Sequence, residues 1–304
     1  MKDVMKKNII GILALIILAL FSSCATKAEP ESLPEALPLE MISLKEYGLD
    51  YAMGKTEVTY AQWHSVYFWA VENGYEFSST GREGHDGVPG SLPSYGMNEP
   101  VTEVSWRDAI VWCNALSEKE GLTPVYYEDA LYAVPLRKST SDESVTINVP
   151  GTQDCPYIYS PKPGNLDMSA CTSIGYRLPT SLEWETAAMA DDTFVFAGSN
   201  VLEEVGWARE NSGDASHEAA TLKPNGWGFY DMSGNVWEWV WDLYSPTSRI
   251  RLRRGGGWHG DANGCSVSGK KSLGAYEPYF INYRGGFRLC MSLQKNSEST
   301  GESY

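Results

Sequence analysis

The C-terminal half of the chain is marked by glycine placed beside large aromatic residues. Four such clusters occur, at Gly226-Trp-Gly228, Gly234-Asn-Val-Trp-Glu-Trp239, Gly255-Gly-Gly-Trp258 and Gly285-Gly-Phe-Arg288. Glycine permits tight backbone paths, and the aromatic ring fills the space beside them. The clusters are irregularly spaced, which excludes a solenoid or a propeller. With 29 Gly, 11 Trp and 18 Tyr, the pattern favours a turn-rich, aromatic-packed domain over a helical bundle.

The signals for helices are clearest at three N-termini. Thr59 and Gln62 have the spacing of a capping box, in which both side chains bind backbone N–H groups that the first turn leaves without partners. Thr180 and Glu183 have the same spacing, which gives them a structural rather than a catalytic role, and Ser105 is a good N-cap. The predicted helices run from Tyr60 to Val71, from Trp106 to Glu120, and from Thr180 through Met189.

Composition excludes two classes of protein. The 304 residues include 24 Lys and Arg against 39 Asp and Glu, which gives a formal net charge of −15. So acidic a chain is a poor nucleic-acid binder, because affinity for phosphate rests on clustered basic side chains. Hydrophobic residues make up 42% of the chain and aromatic residues 12%. That is enough to bury a core, so a disordered chain is excluded as well.

The first 24 residues have the pattern of an export signal. Three lysines fall within the first eight residues, and the uncharged run from Ile9 to Phe21 follows them. At about 1.5 Å per residue, a helix of this length is too short to cross a bilayer comfortably. Ser22-Ser-Cys24 then supplies small residues at a cleavage site, so the segment resembles a bacterial lipoprotein signal.

A lipoprotein signal implies that Cys24 becomes the lipidated N-terminus of the mature protein. Residues 25–43 include a Pro- and Glu-rich stretch, and we expect them to form a tether outside the folded domain. The protein is then predicted to be lipid-anchored in a bacterial cell envelope, at the outer membrane or cell surface. The alternative is an ordinary signal peptide with an incidental cysteine.

Five cysteines remain beyond Cys24, an odd number that leaves at least one thiol unpaired within the chain. Their density is too low for a disulfide scaffold. Cys155 and Cys171 close the shortest loop among the five. They either form a disulfide or are two unpaired buried thiols, and both alternatives are kept. Cys113 lies on the apolar face of a predicted helix and is expected in the core.

Two motifs resemble a phosphate-binding loop and a zinc site, but each lacks a residue that the site requires. Gly264 to Lys270 mimics a phosphate-binding loop, but Lys271 stands where a magnesium-binding hydroxyl is required. His217-Glu218 is followed by Thr221 where a zinc metalloprotease helix has its second histidine. Neither motif therefore predicts an active site.

Six other motifs, taken in chain order, resemble one family. They are GKTEVT at 54–59, PVTEVSW at 100–106, GYRLPTSLEWE at 175–185, KPNGWGFYDMSGNVWEW at 223–239, RGGGW at 254–258 and GGFR at 285–288. Together they resemble the formylglycine-generating enzyme family, also called the sulfatase-modifying-factor domain, from about Leu44 to Met291. The resemblance implies an α+β, C-type-lectin-like fold with a small antiparallel sheet core, two main helices and extensive irregular loops. This domain would span residues 44–292, before a polar tail at 293–304.

Active members of the family oxidise a sulfatase cysteine, using a copper ion held by two cysteines. The second of these aligns with Cys265 in this chain, whereas the first falls on Gly260. One thiolate cannot supply the two-coordinate sulfur site that copper(I) needs. The comparison therefore predicts a protein with no catalytic residues and no required cofactor, with an active oxidase as the disfavoured alternative.

The resemblance also implies a cation site in the segment from Asp231 to Glu238. In the family a calcium ion would be bound by a side chain at Asp231, the carbonyls of Gly234 and Val236, and the Glu238 carboxylate. Oxygen ligands of this kind suit a hard ion. The alternative is that Asp231 and Glu238 bond to backbone in a tight loop, and both interpretations are kept.

A second group with this domain is the variable proteins of diversity-generating retroelements, of which the lipid-anchored treponemal ones resemble this chain most. In these proteins a reverse transcriptase rewrites a C-terminal segment by mutating template adenines. The segment from Trp258 to Arg284 mixes Asn, Tyr, Asp and His, most of which an Asn codon reaches by changes at its adenines. Tyr and Asn are also abundant in antibody binding sites.

The resemblance therefore predicts a non-catalytic, lipid-anchored monomer that binds a protein or glycan ligand through a diversified surface and binds no nucleic acid. The alternative to a diversified binder is an invariant structural envelope lipoprotein. The predicted ligand-binding residues are Trp258, His259, Gly260, Asp261, Asn263, Gly264, Tyr276, Tyr279, Phe280, Asn282, Tyr283 and Arg284.

Overall fold

The computed structural model describes residues 33–140, 147–150, 171–245, 248–268 and 273–293. The predicted signal sequence with Cys24, the first part of the tether, Cys155 and nearly all of the predicted tail lie outside these residues. No helix within the described parts of the chain is both long and apolar enough to cross a membrane.

Each of the three α-helices in the described residues begins at a predicted N-cap. They are α1 (Tyr60–Glu72) after Thr59, α2 (Trp106–Lys119) after Ser105 and α3 (Ser181–Met189) after Thr180. All three caps are complete capping boxes, and in α2 the returning side chain is Asp108. The predicted helices are confirmed, with ends that differ by one residue from the prediction: α1 continues past Val71 and α2 ends before Glu120.

Ten short strands, numbered in chain order, form the sheets of the described residues. They are β1 (Met41–Ser43), β2 (Tyr51–Gly54), β3 (Arg82–Glu83), β4 (Val101–Thr102), β5 (Tyr176–Arg177), β6 (Trp237–Leu243), β7 (Arg251–Arg254), β8 (Gly274–Tyr276), β9 (Gly285–Phe287) and β10 (Cys290–Ser292). One sheet has the order β1-β2-β10-β5 and is antiparallel throughout, and β3 and β4 form a separate antiparallel pair. The other sheet has the order β8-β7-β6-β9. In it β9 runs parallel to β6, an exception to the predicted antiparallel pairing.

Aromatic side chains fill the space between α1, α2 and the sheet that contains β6. Trp63 of α1 stacks on Trp112 of α2 with ring centroids 5.9 Å apart, and Phe287 of β9 meets both rings edge-on. All three side chains are fully buried. The Trp106 indole N–H donates to the Val240 carbonyl at 2.9 Å, which joins α2 to β6. The predicted aromatic packing in a mixed α+β fold is thus confirmed.

The folded domain begins before the predicted boundary at residue 44. Met41–Ser43 pairs with β2, and Leu39 and Met41 pack against the core. Leu44 itself is fully buried. Because these apolar side chains gain free energy by leaving water, the last residues of the predicted tether belong to the sheet.

Candidate ligand-binding surface

Two glycines fix the start of the predicted ligand-binding segment. Gly255 and Gly256 follow β7 with φ angles of +91° and +78°, in the left-handed region that favours glycine. A Cβ atom on Gly256 would lie 2.7 Å from the Cys265 sulfur, so no larger residue fits without a shift. Two residues later, the Trp258 backbone N–H donates to the Asn235 carbonyl at 2.7 Å. The segment therefore starts beside the loop that leads into β6.

The other end of the segment is fixed on the same strand. The Trp237 backbone N–H of β6 donates to the Arg284 carbonyl at 2.9 Å, and β9 follows at once as the parallel partner of β6. Gly286 is packed so closely that a Cβ atom would lie 2.5 Å from the Val101 carbonyl oxygen. The Arg284 end of the segment is therefore held by β6 and the Trp258 end by the loop that leads into it.

Four predicted residues from the two ends form one cluster. The centroid of the Trp258 ring lies 5.5 Å from that of His259 and 6.0 Å from that of Tyr283. The Arg284 Nη2 donates to the Tyr283 hydroxyl at 3.0 Å. His85, from the loop after β3, also meets the Trp258 ring, with centroids 5.6 Å apart. Sequence reasoning missed His85 because it is distant along the chain and belongs to no motif.

Tyr276 and Phe280 form a second cluster. Their rings stack with centroids 4.5 Å apart, and each side chain is more than a third exposed. The guanidinium of the buried Arg253 lies 3.9 Å from the Tyr276 centroid. Asn282 joins the two clusters, since its Oδ1 accepts from the Arg253 Nη1 at 3.3 Å and from the Arg284 backbone N–H at 3.1 Å.

The remaining predicted residues lie on a short turn or are partly covered. Asp261 caps the 3₁₀ turn Ala262–Cys265 by accepting from the Gly264 backbone N–H at 3.1 Å. Of this set, Asp261 and Asn263 are exposed, and Gly260, Gly264 and Tyr279 are half-buried. The turn thus presents short polar side chains to solvent.

Three arginines surround His259. Arg209 donates to the His259 carbonyl oxygen, from Nε at 3.0 Å and from Nη2 at 2.8 Å. Burial, and after it the positive charges of Arg284, Arg253 and Arg209, lower the pKa of His259 to about 4. The imidazole is therefore neutral near pH 7. Arg209 and Arg253 lie outside the predicted segment, and nothing in their local sequence indicated a place in the site.

The surroundings of Cys265 do not favour a reactive thiolate. The side chain is fully buried, and burial raises the pKa of its thiol to about 12. Gly260, where the family has its first copper-binding cysteine, supplies no sulfur. These two residues therefore do not fit a copper(I) site. The other cysteines of the described residues, Cys113, Cys171 and Cys290, are also buried free thiols.

The side chains of the predicted calcium site are bound to protein groups. The two Glu238 oxygens accept from the Arg288 guanidinium at 2.8 and 2.9 Å, and Oε2 also accepts from the Trp184 indole N–H at 2.7 Å. The Asp231 Oδ2 accepts from the Ala220 backbone N–H at 2.7 Å. Arg288 thus supplies the positive charge at Glu238, whereas the Asp231 Oδ1 is buried without a hydrogen-bond partner, so the calcium site stays a prediction. Within the described residues, no group of three or more His, Cys, Asp or Glu side chains is arranged to hold a metal ion.

Comparison with known proteins agrees with the motifs. The family model of the sulfatase-modifying factor enzyme 1-like domain matches residues 25–293. The chain is 32% identical over 248 residues to the chaperone protein LppX of Paenibacillus barcinonensis, a match that covers 72% of this chain and 73% of LppX. It is 31% identical over 154 residues to the formylglycine-generating enzyme of Thermomonospora curvata, across 43% of this chain and 49% of that enzyme.

A solved structure has the same fold. Treponema denticola variable protein 1 matches with a TM-score of 0.57 and 26% identity, over 85% of this chain and 93% of that chain. The predicted fold and the predicted resemblance are confirmed by these matches. The chain therefore belongs to the sulfatase-modifying factor enzyme 1-like domain family.

Proposed function

We propose that this protein is a non-catalytic ligand-binding protein, lipid-anchored at Cys24, whose surface between Trp258 and Arg284 is diversified by a retroelement. The observation that carries the proposal is the division of this region into a fixed frame and outward-facing side chains. Gly256 and Gly286 are in such close contact with backbone or sulfur atoms that a side chain there meets a neighbour. The frame can therefore stay constant while exposed positions change.

Side chains suited to binding lie on this frame. Tyr276, Phe280 and Ile281 each expose more than a third of their surface, and Asp261 and Asn263 are exposed on the turn. Aromatic rings give large contact area at a low cost in side-chain entropy, and short polar side chains adapt their hydrogen bonds to the partner. Binding hot spots are also enriched in such rings. The surface has the composition of a binding site that accommodates different ligands.

The chemistry of the oxidases does not transfer to this site. Gly260 has no thiol, and Cys265 is buried with a raised pKa. The relatives include an enzyme and a protein that is not named as one. The chain matches about half of a formylglycine-generating enzyme and nearly three quarters of a protein named as a chaperone. We therefore favour binding over catalysis on the residues of the site rather than on the names of relatives.

The proposed setting is the bacterial cell envelope. A lipid on Cys24 would hold the protein at the outer membrane or cell surface, with the residues before β1 as a tether. The ligand is a protein or a glycan, because both present apolar and hydrogen-bonding groups to an aromatic, polar surface. The protein would act as a monomer, and its net charge of −15 argues against nucleic acid.

The proposal is tested by sequencing the DNA that encodes residues 258–284, with its flanks, from many isolates. We expect differences to cluster at codons such as those of His259, Asp261 and Asn263, where a near-identical template copy carries adenine and a reverse-transcriptase gene lies close by. The codons of Gly256 and Gly286 serve as controls and should be constant. A constant segment without a template copy would contradict diversification and favour an invariant envelope lipoprotein.

A further inference from the structure

Three arginines at the ligand-binding surface have no carboxylate partner within the described residues. Elsewhere in the described chain, arginine usually pairs with glutamate, as at Arg82, Arg137, Arg177, Arg254 and Arg288. Arg209 and Arg284 instead bind a carbonyl and a hydroxyl, and Arg253 binds the Asn282 amide oxygen. In a chain with 39 acidic residues, this concentration of uncompensated positive charge is unexpected.

The same cluster contains buried nitrogen atoms without a hydrogen-bond partner. They are the Nε atoms of Arg253 and Arg284, the indole Nε1 of Trp258 and the Nδ1 of His259. Arg253 and Trp258 are more than nine-tenths buried. Buried donors in folded proteins are almost always paired. The nitrogens of Arg253, Arg284 and Trp258 can only donate, so they indicate an acceptor that the chain itself does not supply.

These groups lie close enough together to act on one ligand. Arg209 donates to the His259 carbonyl oxygen at 2.8 Å, and the Trp258 ring contacts the rings of both His259 and Tyr283. Arg284 in turn donates to the Tyr283 hydroxyl at 3.0 Å. Arg209 is exposed, while His259 and Arg284 are half-buried. The cluster is therefore open to solvent on the Arg209 side and increasingly covered towards Trp258.

We propose that this cluster binds an acidic group of the ligand, a carboxylate, sulfate or phosphate, between Arg209, Arg284 and His259. The inference rests on the proposed function, since it names the chemistry that the ligand-binding surface recognises. Guanidinium groups bind such oxyanions through paired N–H donors, and bonds between charged groups are stronger than neutral ones. The Tyr283 hydroxyl, which accepts from Arg284, is the acceptor that the anion replaces.

The positions of the arginines along the chain divide the surface into a constant part and a diversified part. Arg209 and Arg253 lie outside the segment from Trp258 to Arg284, and Arg284 lies at its end. The guanidinium groups of Arg209 and Arg253 thus belong to the constant frame, whereas His259 lies within the diversified segment. The diversified side chains then select among ligands that all carry an acidic group.

Anion binding is tested on the full chain, in neutral detergent, by NMR of the indole N–H groups, with the Trp258 signal assigned through Trp258→Phe. Sodium sulfate, sodium phosphate and sodium acetate are titrated separately at constant ionic strength. We expect a saturable shift of the Trp258 signal, with binding about tenfold weaker in Arg284→Gln and in Arg209→Gln. Response to the tetrahedral ions alone, or to acetate alone, tells whether the recognised group is a sulfate or phosphate or a carboxylate.

Two matched variants separate a specific site from a general effect of charge. Arg137→Gln also removes one positive charge, but Arg137 pairs with Glu118 on another part of the protein, so binding should be unchanged. Tyr283→Phe removes the hydroxyl that competes for Arg284, so binding should be at least as tight. The absence of a saturable shift, or equal shifts in wild type and Arg209→Gln, would overturn the proposal. Arg209 is exposed, so that variant keeps the fold even if Arg284→Gln does not.

The anion titration and the sequencing of isolates test separate proposals, so either proposal can be overturned without the other. Constant codons would overturn diversification and leave an anion-binding surface in place. A silent titration together with variable codons would overturn the acidic-group proposal and leave the diversified binder standing.

Discussion

Buried carboxylates set how the stability of individual sites depends on pH. The Asp242 Oδ2 on β6 accepts from the Ser181 backbone N–H at 2.6 Å and so holds the first turn of α3 on the sheet. Its Oδ1 is buried without a hydrogen-bond partner. Burial raises the pKa of Asp242 to about 7, although the bond from Ser181 favours the charged form. The native protein thus keeps a proton that an unfolded aspartate releases near pH 3.8.

We expect the wild-type protein to lose stability between about pH 4 and pH 7 because the unfolded chain releases the Asp242 proton in this range and the folded protein keeps it. Asp242→Asn should lack this part of the loss. The pKa of Asp242 is higher in the folded than in the unfolded state. Its contribution to the free energy of unfolding is therefore complete below pH 3.8 and is lost as the pH rises through 7. Asparagine keeps the acceptor for Ser181 and does not ionise. The difference in unfolding free energy between variant and wild type should change by at most about 4 kcal/mol over this range, measured by urea unfolding.

Asp129→Asn is the control for the pH experiment. Asp129 is half-buried, and backbone N–H groups of its own turn, first that of Ala133, lower its pKa below 3.8. Its contribution to stability is present above that pH and is lost only at lower pH. The control should therefore follow the wild-type slope between pH 4 and pH 7. If Asp242→Asn follows it as well, Asp242 does not carry the proton.

Among the secondary-structure elements, β6 determines where the proposed ligand-binding surface lies. On one side β7 runs antiparallel to it and continues into Gly255 and Trp258, and on the other side β9 runs parallel to it directly after Arg284. A parallel neighbour requires a long connection, because the chain has to return to the same end of the sheet. β7 already makes this return, because it runs antiparallel to β6 and ends beside Glu238. The segment between Trp258 and Arg284 therefore only connects the two sides of β6 at that end of the sheet, and the strand pairing does not set its length.

Gly286→Ala tests the close approach of β9 to the rest of the fold. The added Cβ atom would lie 2.5 Å from the Val101 carbonyl oxygen, a backbone atom of β4 that cannot move aside alone. We expect a loss of about 1 to 3 kcal/mol in unfolding free energy. Gly264→Ala is the control within the same region, since its Cβ meets nothing closer than 4.0 Å, and should change stability by less than about 0.5 kcal/mol. Equal stability of the two variants would show that β9 is packed less tightly against Val101 than the structure indicates.

The elements differ in how far the sequence predicts them. The helix starts at Thr59 and Thr180 were predicted from capping boxes and the start at Ser105 from its N-cap residue, because these signals lie within four residues. The parallel pairing of β9 with β6 has no such local pattern, since it joins strands about fifty residues apart. The same holds for the site. The resemblance identified the segment itself, whereas His85 and Arg209 enter it only through contacts between distant parts of the chain.

For the molecule as a whole, the ligand-binding surface differs in charge from the rest of the chain. A net charge of −15 repels acidic ligands at long range, but exposed charges are screened beyond about 8 Å at physiological ionic strength. Arg209 bonds to His259, and Arg284 bonds to Tyr283 of the same cluster, so the proposed acidic ligand would meet both charges without such screening. Acidic ligands would therefore be selected on contact rather than steered from a distance, and low salt would slow their association.

The proposed attachment of the molecule to the envelope depends on Cys24, which lies outside the residues that the structure describes. We expect the full chain, made in a bacterium, to incorporate labelled palmitate and to enter the detergent phase, because buried acyl chains contribute about 0.8 kcal/mol per methylene. Cys24→Ser removes the thiol that carries the lipid, so that variant should be unlabelled and stay in the aqueous phase. Cys171→Ser, which removes a thiol within the folded domain, should keep the label. An unlabelled wild-type chain would indicate an ordinary signal peptide, and the ligand-binding surface would then belong to a released protein.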